Sequence, residues 1–465
     1  MNGFRIFNTK WLISAFILCF TLLSCTNSTS EFISSPITLW VVTEATPSDG
    51  MNNELALLAT QFEAENCNVH IKYDIIPEAN PERDAFITDL NDKIQQGKGP
   101  DIFLLPTAST VVSDNPSSYS YYQITPLFSD VESAMRRGLF YDISKYYNKD
   151  KTLNKDALEE EIMNAGVIDQ SRYILPLRYH LPILYMFEDD SDFDELHNIA
   201  DLNIIDLMEL AISAQDSTLA GGIEYTSINA FSNLFNYEEN VLTLSAAEVQ
   251  EYFKLFQQIQ QLVGRKFQHR SIANIINISE ISEAYPLHID TIASAPVYAG
   301  YAIANNKTLS MTPVKSADGD VIATVTYYGA IGSYCANPKI AYNFLRMFLS
   351  EESQWEINRK EYSNIQYFGL LDQGYPVRNQ GAAPHLWSNL KNQATRPHPY
   401  LSVTVTDESI NILDVDIDIV RFPVITEFYN TLFSLYDYQN LCIPPHVNIE
   451  TMAVSFIEHL AETYK

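Results

Sequence analysis

Short apolar runs alternate with amphipathic segments in the first part of the chain, and this alternation restricts the fold more than any other feature. The runs ITLWVV (37–42), VHIKYDII (69–76) and DIFLLP (101–106) have the apolar or alternating character of strands. Between them, NELALLATQFEAEN and RDAFITDLNDKIQQGKG repeat apolar residues at helical spacing, and the second stops at glycines and a proline. This order predicts an open, mainly parallel sheet covered by helices.

The carboxyl ends of these strands predict the position of a binding site. In open α/β sheets, ligands bind beyond the carboxyl ends of the strands. In this chain those ends lead into the segments 43–49 and 106–110. We therefore expect both segments to border the site.

The N-terminus has the pattern of an export signal. Arg5 and Lys10 precede an almost wholly apolar run at 11–23, which is too short to span a membrane as a helix. The run ends in Leu-Leu-Ser-Cys, which resembles a bacterial lipobox, so we expect cleavage after residue 24 and lipidation of Cys25. Residues 25–35 would form a polar tether. An ordinary cleaved signal that happens to contain a cysteine is the alternative.

Length, charge and cysteine content narrow the classes of protein. A chain of 465 residues favours two domains. A formal net charge of −29 argues against nucleic-acid binding and against adhesion to anionic lipid headgroups. Beyond the leader, Cys67, Cys335 and Cys442 form no Cys-x-x-Cys pattern, so neither a disulfide scaffold nor a zinc site is expected.

Four blocks of sequence resemble the extracellular solute-binding proteins of ABC importers, of the sugar- and maltodextrin-binding class. The segment LNDKIQQGKGPDIFLLP resembles the family's helix that ends in Gly-x-Gly-Pro-Asp before an apolar strand. The other blocks follow in the family's order, at 134–150, 171–190 and 327–354. The final segment, NIETMAVSFIEHLAETYK, resembles the family's closing helix. The match spans most of residues 36–380.

This resemblance implies a two-lobed, periplasmic-binding-protein-like α/β fold. Each lobe is expected to hold an open, mainly parallel sheet flanked by helices, and crossing strands join the lobes as a hinge. We expect lobe 1 to comprise 36–180 and 329–380, and lobe 2 to comprise 181–328 and 381–465. The implied protein is an exported monomer, anchored by lipid to the extracytoplasmic face of a bacterial membrane. It would deliver a small solute to ABC permease subunits, without a cofactor.

A carbohydrate is the leading ligand, by resemblance and by aromatic content. A sugar needs aromatic platforms for its apolar faces and short polar side chains for its hydroxyls. The chain has 28 tyrosines, 24 phenylalanines and 4 tryptophans. The candidate ligand-binding residues lie after the first and third strands, at the two crossings, or on the second lobe. They are Glu44, Asp49, Thr107, Ser109, Arg178, Tyr179, His180, Tyr298, Tyr301, Tyr327 and Tyr328.

Other classes of protein have weaker support in the sequence. No nucleophile elbow, zinc-protease motif or phosphate loop is present, and 58 acidic residues make chance carboxylate pairs unavoidable. The acidic run at 189–195 has the spacing of a calcium loop but has Glu195 where such loops require glycine. The sequence contains no internal repeats of the kind that a structural or adhesion protein would show. A sensor, a degenerate binding lipoprotein and a surface glycan hydrolase stay open as alternatives.

Overall fold

The fold is known from a computed structural model of the chain. The structure describes residues 36–44, 50–77, 81–107, 109–112, 121–124, 127–128, 130–187, 202–215, 220, 223, 231, 234–263, 287–291, 309–355, 374–378, 417–422 and 448–463.

The first three strands of the first sheet are connected by two helices. They are β1 (Ile37–Glu44), α1 (Gly50–Glu65), β2 (Val69–Ile76), α2 (Glu82–Gln95) and β3 (Ile102–Pro106). β1 pairs in parallel with both β2 and β3, as a helix between successive strands requires. The predicted strand and helix order is therefore confirmed for this part of the chain.

The other elements within the described ranges follow in chain order. They are β4 (Ser109–Val112), β5 (Tyr121–Ile124), α3 (Val131–Arg136), α4 (Ser144–Lys149), α5 (Glu160–Asn164), β6 (Val167–Ile168), β7 (Ser171–Arg172), β8 (Ile174–His180), β9 (Pro182–Phe187), α6 (Ile204–Ala214), β10 (Phe235–Asn236), β11 (Val241–Leu242), α7 (Ala246–Val263), β12 (Leu287–Thr291), β13 (Leu309–Pro313), β14 (Ile322–Ile331), α8 (Pro338–Leu345), α9 (Glu351–Trp355), β15 (Tyr375–Pro376), β16 (Ile419–Arg421) and α10 (Ile449–Thr463). Two 3-10 helices, Lys155–Ala157 and Arg346–Leu349, lie among them.

The Gly-x-Gly-Pro-Asp motif has a packing explanation. Gly97 ends α2 with a φ of +68°, a conformation that glycine adopts without steric cost. A side chain at Gly99 would collide with the Tyr334 hydroxyl. The Asp101 carboxylate accepts a 2.9 Å hydrogen bond from the backbone N–H of Trp40 in β1. The motif therefore fixes the end of α2 against the first sheet.

Among the described residues, seven strands form the first sheet, in the order β15-β8-β14-β3-β1-β2, with β16 paired to β14. β14 runs antiparallel to β3 and to β8. β16 pairs in parallel with residues 322–324 of β14, so a segment from late in the chain returns to this sheet.

The second sheet has the order β12-β9-β13, and all its described pairings are antiparallel. The expectation of a mainly parallel sheet in each lobe is therefore wrong for this sheet. The reason lies in the connections: β9 continues the path of β8, whereas β13 leads back into β14. Strands that leave and return along neighbouring paths must run in opposite directions in both sheets.

Among the residues that the structure describes, buried apolar side chains form two separate clusters. The first core packs around β1, β3, β8 and β14, and the second core packs among α6, α7 and α10. Strand β9 contributes to both cores because alternate residues of a strand point to opposite faces. Ile183 and Tyr185 belong to the first core, and Leu184 belongs to the second. One strand therefore contributes side chains to both cores.

The predicted lobe boundaries stay a prediction. Val325, Tyr327 and Tyr328, which that division assigns to lobe 2, pack in the first core. Phe422, also assigned to lobe 2, packs there as well. Within the described ranges, no helix has the length and apolar content that crossing a membrane requires.

Candidate functional site

Three of the predicted site residues, Glu44, Thr107 and His180, lie at one edge of the first sheet. β3 and β8 run in the same direction because both are antiparallel to β14, and β1 is parallel to β3. The carboxyl ends of β1, β3 and β8 therefore meet at one edge, where Glu44, Thr107 and His180 lie. β14 enters the sheet from this edge, with Thr324 opposite His180. We call this region the carboxyl edge.

Hydroxyl groups connect the strands just inside the carboxyl edge. Tyr327 donates a hydrogen bond from its hydroxyl to the carbonyl oxygen of Leu104 at 3.2 Å, so the Thr43 hydroxyl donates to Tyr327 across 3.1 Å. Thr107 donates from Oγ1 to the carbonyl oxygen of Val325 at 2.6 Å. Burial raises the pKa of Tyr327, which keeps its phenol protonated. These bonds fix β14 against β1 and β3.

Glu44 forms a buried ion pair with Arg83 of α2. Arg83 Nη2 lies 2.9 Å from Glu44 Oε1, and Arg83 Nη1 donates to the Pro77 carbonyl oxygen at 3.1 Å. Sequence reasoning missed Arg83. A signal was present, because a basic residue in the first turn of a helix opposes the helix dipole and so needs another partner.

Arg178 contacts α9 rather than solvent. Its side chain is buried, and Nη1 donates to the carbonyl oxygen of Gln354 at 3.3 Å. The Gln354 amide in turn donates to the carbonyl oxygens of Phe348 at 2.7 Å and Leu177 at 3.3 Å. Nearby, Ser353 donates to Glu54 Oε1 at 2.6 Å. This buried polar network ties β8 to α1 and α9.

Tyr179 and Tyr328 lie in the first core. The Tyr179 ring meets Tyr375 edge-on at 5.9 Å between centroids. Tyr328 meets the rings of Phe140 and Phe422 edge-on at 6.5 Å and 6.1 Å. Burial raises the pKa of both phenols. In this structure neither ring offers an open face, and a ligand contact from either stays a prediction.

His180 is the least satisfied side chain at the carboxyl edge. The residue as a whole is partly exposed, but Nδ1 has no solvent contact and no hydrogen-bond partner among the described residues. Burial of the imidazole lowers its pKa from 6.5 to about 4, so His180 is neutral at pH 7. A neutral imidazole has one donor and one acceptor for a ligand hydroxyl.

Several predicted residues lie outside the described residues. These are Cys25 with the leader and tether, Asp49, Tyr298, Tyr301 and the acidic run at 189–195. Ser109 begins β4, which pairs with β5, but its side chain is not described. Their predicted roles therefore stay predictions.

Most side chains described at the carboxyl edge are neutral hydrogen-bonding groups. Thr43, Thr107 and Tyr327 are buried and bonded to other parts of the protein, and His180 is partly exposed. Beyond the other end of β14, burial raises the pKa of the Cys335 thiol to about 12, so the thiol is protonated at pH 7. Among the residues that the structure describes, no group of three or more metal-ligating side chains comes together.

Solved structures share this fold. An extracellular solute-binding protein of family 1 from Alicyclobacillus acidocaldarius matches at 12% identity and a TM-score of 0.50, over 93% of this chain and 99% of that one. A de novo designed cysteine esterase matches at 12% identity and a TM-score of 0.50, over 93% and 98% of the two chains. A solute-binding protein from Thermotoga lettingae bound with α-D-tagatose matches at 12% and 0.48, over 92% and 100%. No family model and no curated protein matches the sequence.

The resemblance to solute-binding proteins is confirmed at the level of the fold. The chain has the two-lobed α/β fold of the extracellular solute-binding proteins, over almost the whole length of the structures compared. The designed esterase with the same fold shows that the fold by itself does not assign an activity.

Proposed function

We propose that this protein is a lipid-anchored extracytoplasmic receptor that captures a carbohydrate between two lobes and delivers it to an ABC permease. The observation that carries the proposal is the convergence of β1, β3 and β8 on one carboxyl edge, beside the strands that run between the two cores. Ligands of open α/β sheets bind at such an edge, and hinge closure over them is a known mode of capture.

The chemistry of the edge supports a neutral, hydroxyl-rich ligand. At this edge the charges of Glu44 and Arg83 are paired with each other. The His180 imidazole is neutral, and its Nδ1 atom, which has no solvent contact in this structure, has no hydrogen-bond partner among the described residues. Sugar hydroxyls both donate and accept hydrogen bonds, so they fit neutral partners of this kind. Asp49, Ser109, Tyr298 and Tyr301 are proposed to complete the site from the second side and from the loops.

The proposed location follows from the leader. A lipid on Cys25 would hold the exported protein beside its permease without a spanning helix. Replacement of Cys25 by Ala should release the protein from the membrane fraction into the soluble fraction. Unchanged membrane association would refute the lipid anchor without touching the sugar-binding proposal.

A thermal-shift screen of residues 31–465 against sugars, oligosaccharides and amino acids tests the proposed ligand. A ligand at a hundred times its dissociation constant stabilises the folded state by about 2.7 kcal/mol, which gives a clear shift. We expect a shift with one class of sugar, and a smaller shift in His180→Ala. His70→Ala, which changes an exposed histidine on β2, is the matched control. A shift with amino acids alone would overturn the carbohydrate assignment.

A further inference from the structure

A tyrosine of the second core contacts a helix of the first core. Tyr237 follows β10 and donates a 2.8 Å hydrogen bond from its hydroxyl to Oδ1 of Asp130. The Arg136 guanidinium lies over the same ring, with its carbon 4.7 Å from the ring centroid. Asp130 precedes α3 and Arg136 ends it. Tyr237 therefore touches both ends of one short helix.

The residues on the two sides of this contact belong to different cores. Val131, Ala134 and Met135 anchor α3 in the first core. Tyr237 packs against the second core, and its ring meets Phe235 edge-on at 4.9 Å. The chain runs between the cores elsewhere, through β8–β9 and β13–β14. The hydrogen bond and the cation–π contact at Tyr237 are both made by side chains, so a movement of one core away from the other can break them.

Asp130 and Arg136 are held in place by hydrogen bonds to residues of α3. Asp130 Oδ1 also accepts a 2.9 Å hydrogen bond from the backbone N–H of Ser133, which caps α3 and fixes the carboxylate. Arg136 donates to Glu132 Oε1 from Nη2 at 2.8 Å, which holds the guanidinium in place. Burial raises the pKa of Asp130, as expected for a carboxylate largely shielded from water.

The contact is weak enough to form and break reversibly. The side chains of Arg136 and Glu132 are 35% and 34% exposed, and Tyr237 is partly buried. The contact includes one hydrogen bond and one cation–π contact. Interactions of this size shift a conformational equilibrium without locking it.

We propose that Tyr237, Asp130 and Arg136 form a latch that stabilises the arrangement in which the two cores touch and thereby raises the affinity for a bound sugar. The proposal rests on the proposed function for its ligand. We take opening of the site to be a rotation about the crossing strands that moves the two cores apart, and such a rotation breaks the latch. Because an apparent affinity falls with the population of the binding-competent state, the latch sets how tightly the receptor holds its sugar.

Two variants of the full chain remove the two halves of the latch separately. Tyr237→Phe removes the hydrogen bond and keeps the ring under Arg136. Arg136→Gln removes the cation and keeps the hydrogen bond. Tyr141→Phe is the control, because it also deletes a bonded tyrosine hydroxyl, here one that accepts from Lys145 at 2.9 Å beside α4. Thermal unfolding of each variant checks that the fold is intact.

Two readouts test the latch. Hydrogen exchange of peptides 131–136 and 235–242, without sugar, should speed up about threefold to tenfold in Tyr237→Phe and stay at the wild-type rate in Tyr141→Phe. With maltose, raffinose and galactose as probes, Tyr237→Phe and Arg136→Gln should raise the dissociation constant of the sugar that binds by about the same factor.

Each outcome separates the latch from the proposed function. Wild-type exchange rates in Tyr237→Phe would overturn the latch, whether or not a sugar binds. Faster exchange with an unchanged sugar dissociation constant would overturn its role in holding sugar. If the wild type binds none of the probe sugars, the carbohydrate assignment fails for these probes, and the exchange rates still decide whether the cores are latched.

Discussion

Arg83 of α2 and Glu44 at the end of β1 form a buried ion pair at the carboxyl edge, with Nη2 and Oε1 2.9 Å apart. Only 5% of the Arg83 side chain and 1% of the Glu44 side chain are exposed. Arg83 also donates to the carbonyl oxygen of Pro77, just beyond β2. One guanidinium therefore ties together the ends of two parallel strands and the start of a helix.

Arg83→Met should destabilise the protein strongly. The substitution leaves the Glu44 carboxylate buried without its cation, a change that costs about 3–5 kcal/mol in comparable buried pairs. Urea unfolding at pH 7 of residues 31–465 measures the loss in the free energy of unfolding.

The double variant Arg83→Met with Glu44→Leu tests whether the effects of the two side chains on stability are coupled. Removal of both charges should restore most of the stability lost in Arg83→Met, because no uncompensated charge stays buried. If the double variant is as unstable as the sum of the two single variants, the two side chains are not energetically coupled.

The sequence allowed β1, β2 and β3 to be predicted because their patterns are local. Apolar runs and helical spacing fix an element within about ten residues, and parallel pairing follows from a helix between the strands. Glu44 was expected in the loop after the first strand, whereas it is the last residue of β1. Its partner Arg83 lies 39 positions away, and only the packing of α2 on the sheet brings the two together.

The antiparallel second sheet and the return of β16 to β14 escaped prediction for a related reason. Pairing between residues 322–324 and 419–421 joins segments almost a hundred positions apart, and neither carries a sign of the other. Tyr179 and Tyr328 illustrate the same limit. A tyrosine at a crossing strand has the same sequence signature whether its ring faces a ligand or a phenylalanine such as Phe140.

His180 should make stability depend on pH between about 6.5 and about 4. Burial lowers its folded-state pKa to about 4, so over this window the unfolded chain takes up a proton that the folded chain does not. Stability is therefore lost as the pH falls. A shift of this size corresponds to at most about 3 kcal/mol. His180→Gln should flatten this part of the curve of unfolding free energy against pH.

The control for His180 is His70→Gln, which alters an exposed imidazole on β2. The imidazole of His70 lies 2.9 Å from Glu63 Oε1, so this variant shows what the loss of a surface histidine does to the same curve. An unchanged slope in His180→Gln would show that the imidazole is protonated equally in the folded and unfolded states.

Gly332→Ala should lower the free energy of unfolding by about 1–3 kcal/mol, the usual cost of overpacking. A Cβ atom at this position would lie 2.5 Å from the carbonyl oxygen of Pro100, which belongs to the Gly-x-Gly-Pro-Asp motif. The Gly332 N–H also donates to the Asp101 carbonyl oxygen at 2.9 Å, so the backbone has little room to retreat. Ser333→Ala, at the exposed neighbouring residue, should have almost no effect in the same urea titration.

Asp130→Asn should raise the stability of the protein at pH 7. Burial raises the pKa of Asp130 against the opposing effects of Ser133, Tyr237, Arg137 and Glu132, whose groups face it. The folded chain therefore keeps a proton on this carboxyl at a pH where the unfolded chain has lost it. The stability that the protonated form contributes is present at low pH and is lost as the pH rises through the raised pKa.

Asparagine removes this cost and keeps the cap, since its side-chain oxygen accepts from the Ser133 N–H as well as aspartate does. Urea unfolding at a series of pH values should show Asp130→Asn above the wild type at pH 7, with the gap closing toward low pH. Asp130→Ala, which loses the cap, should fall below the wild type by about 1 kcal/mol. An Asn variant less stable than the wild type at pH 7 would mean that the ionised carboxylate gains more from Arg137 and Tyr237 than burial costs it.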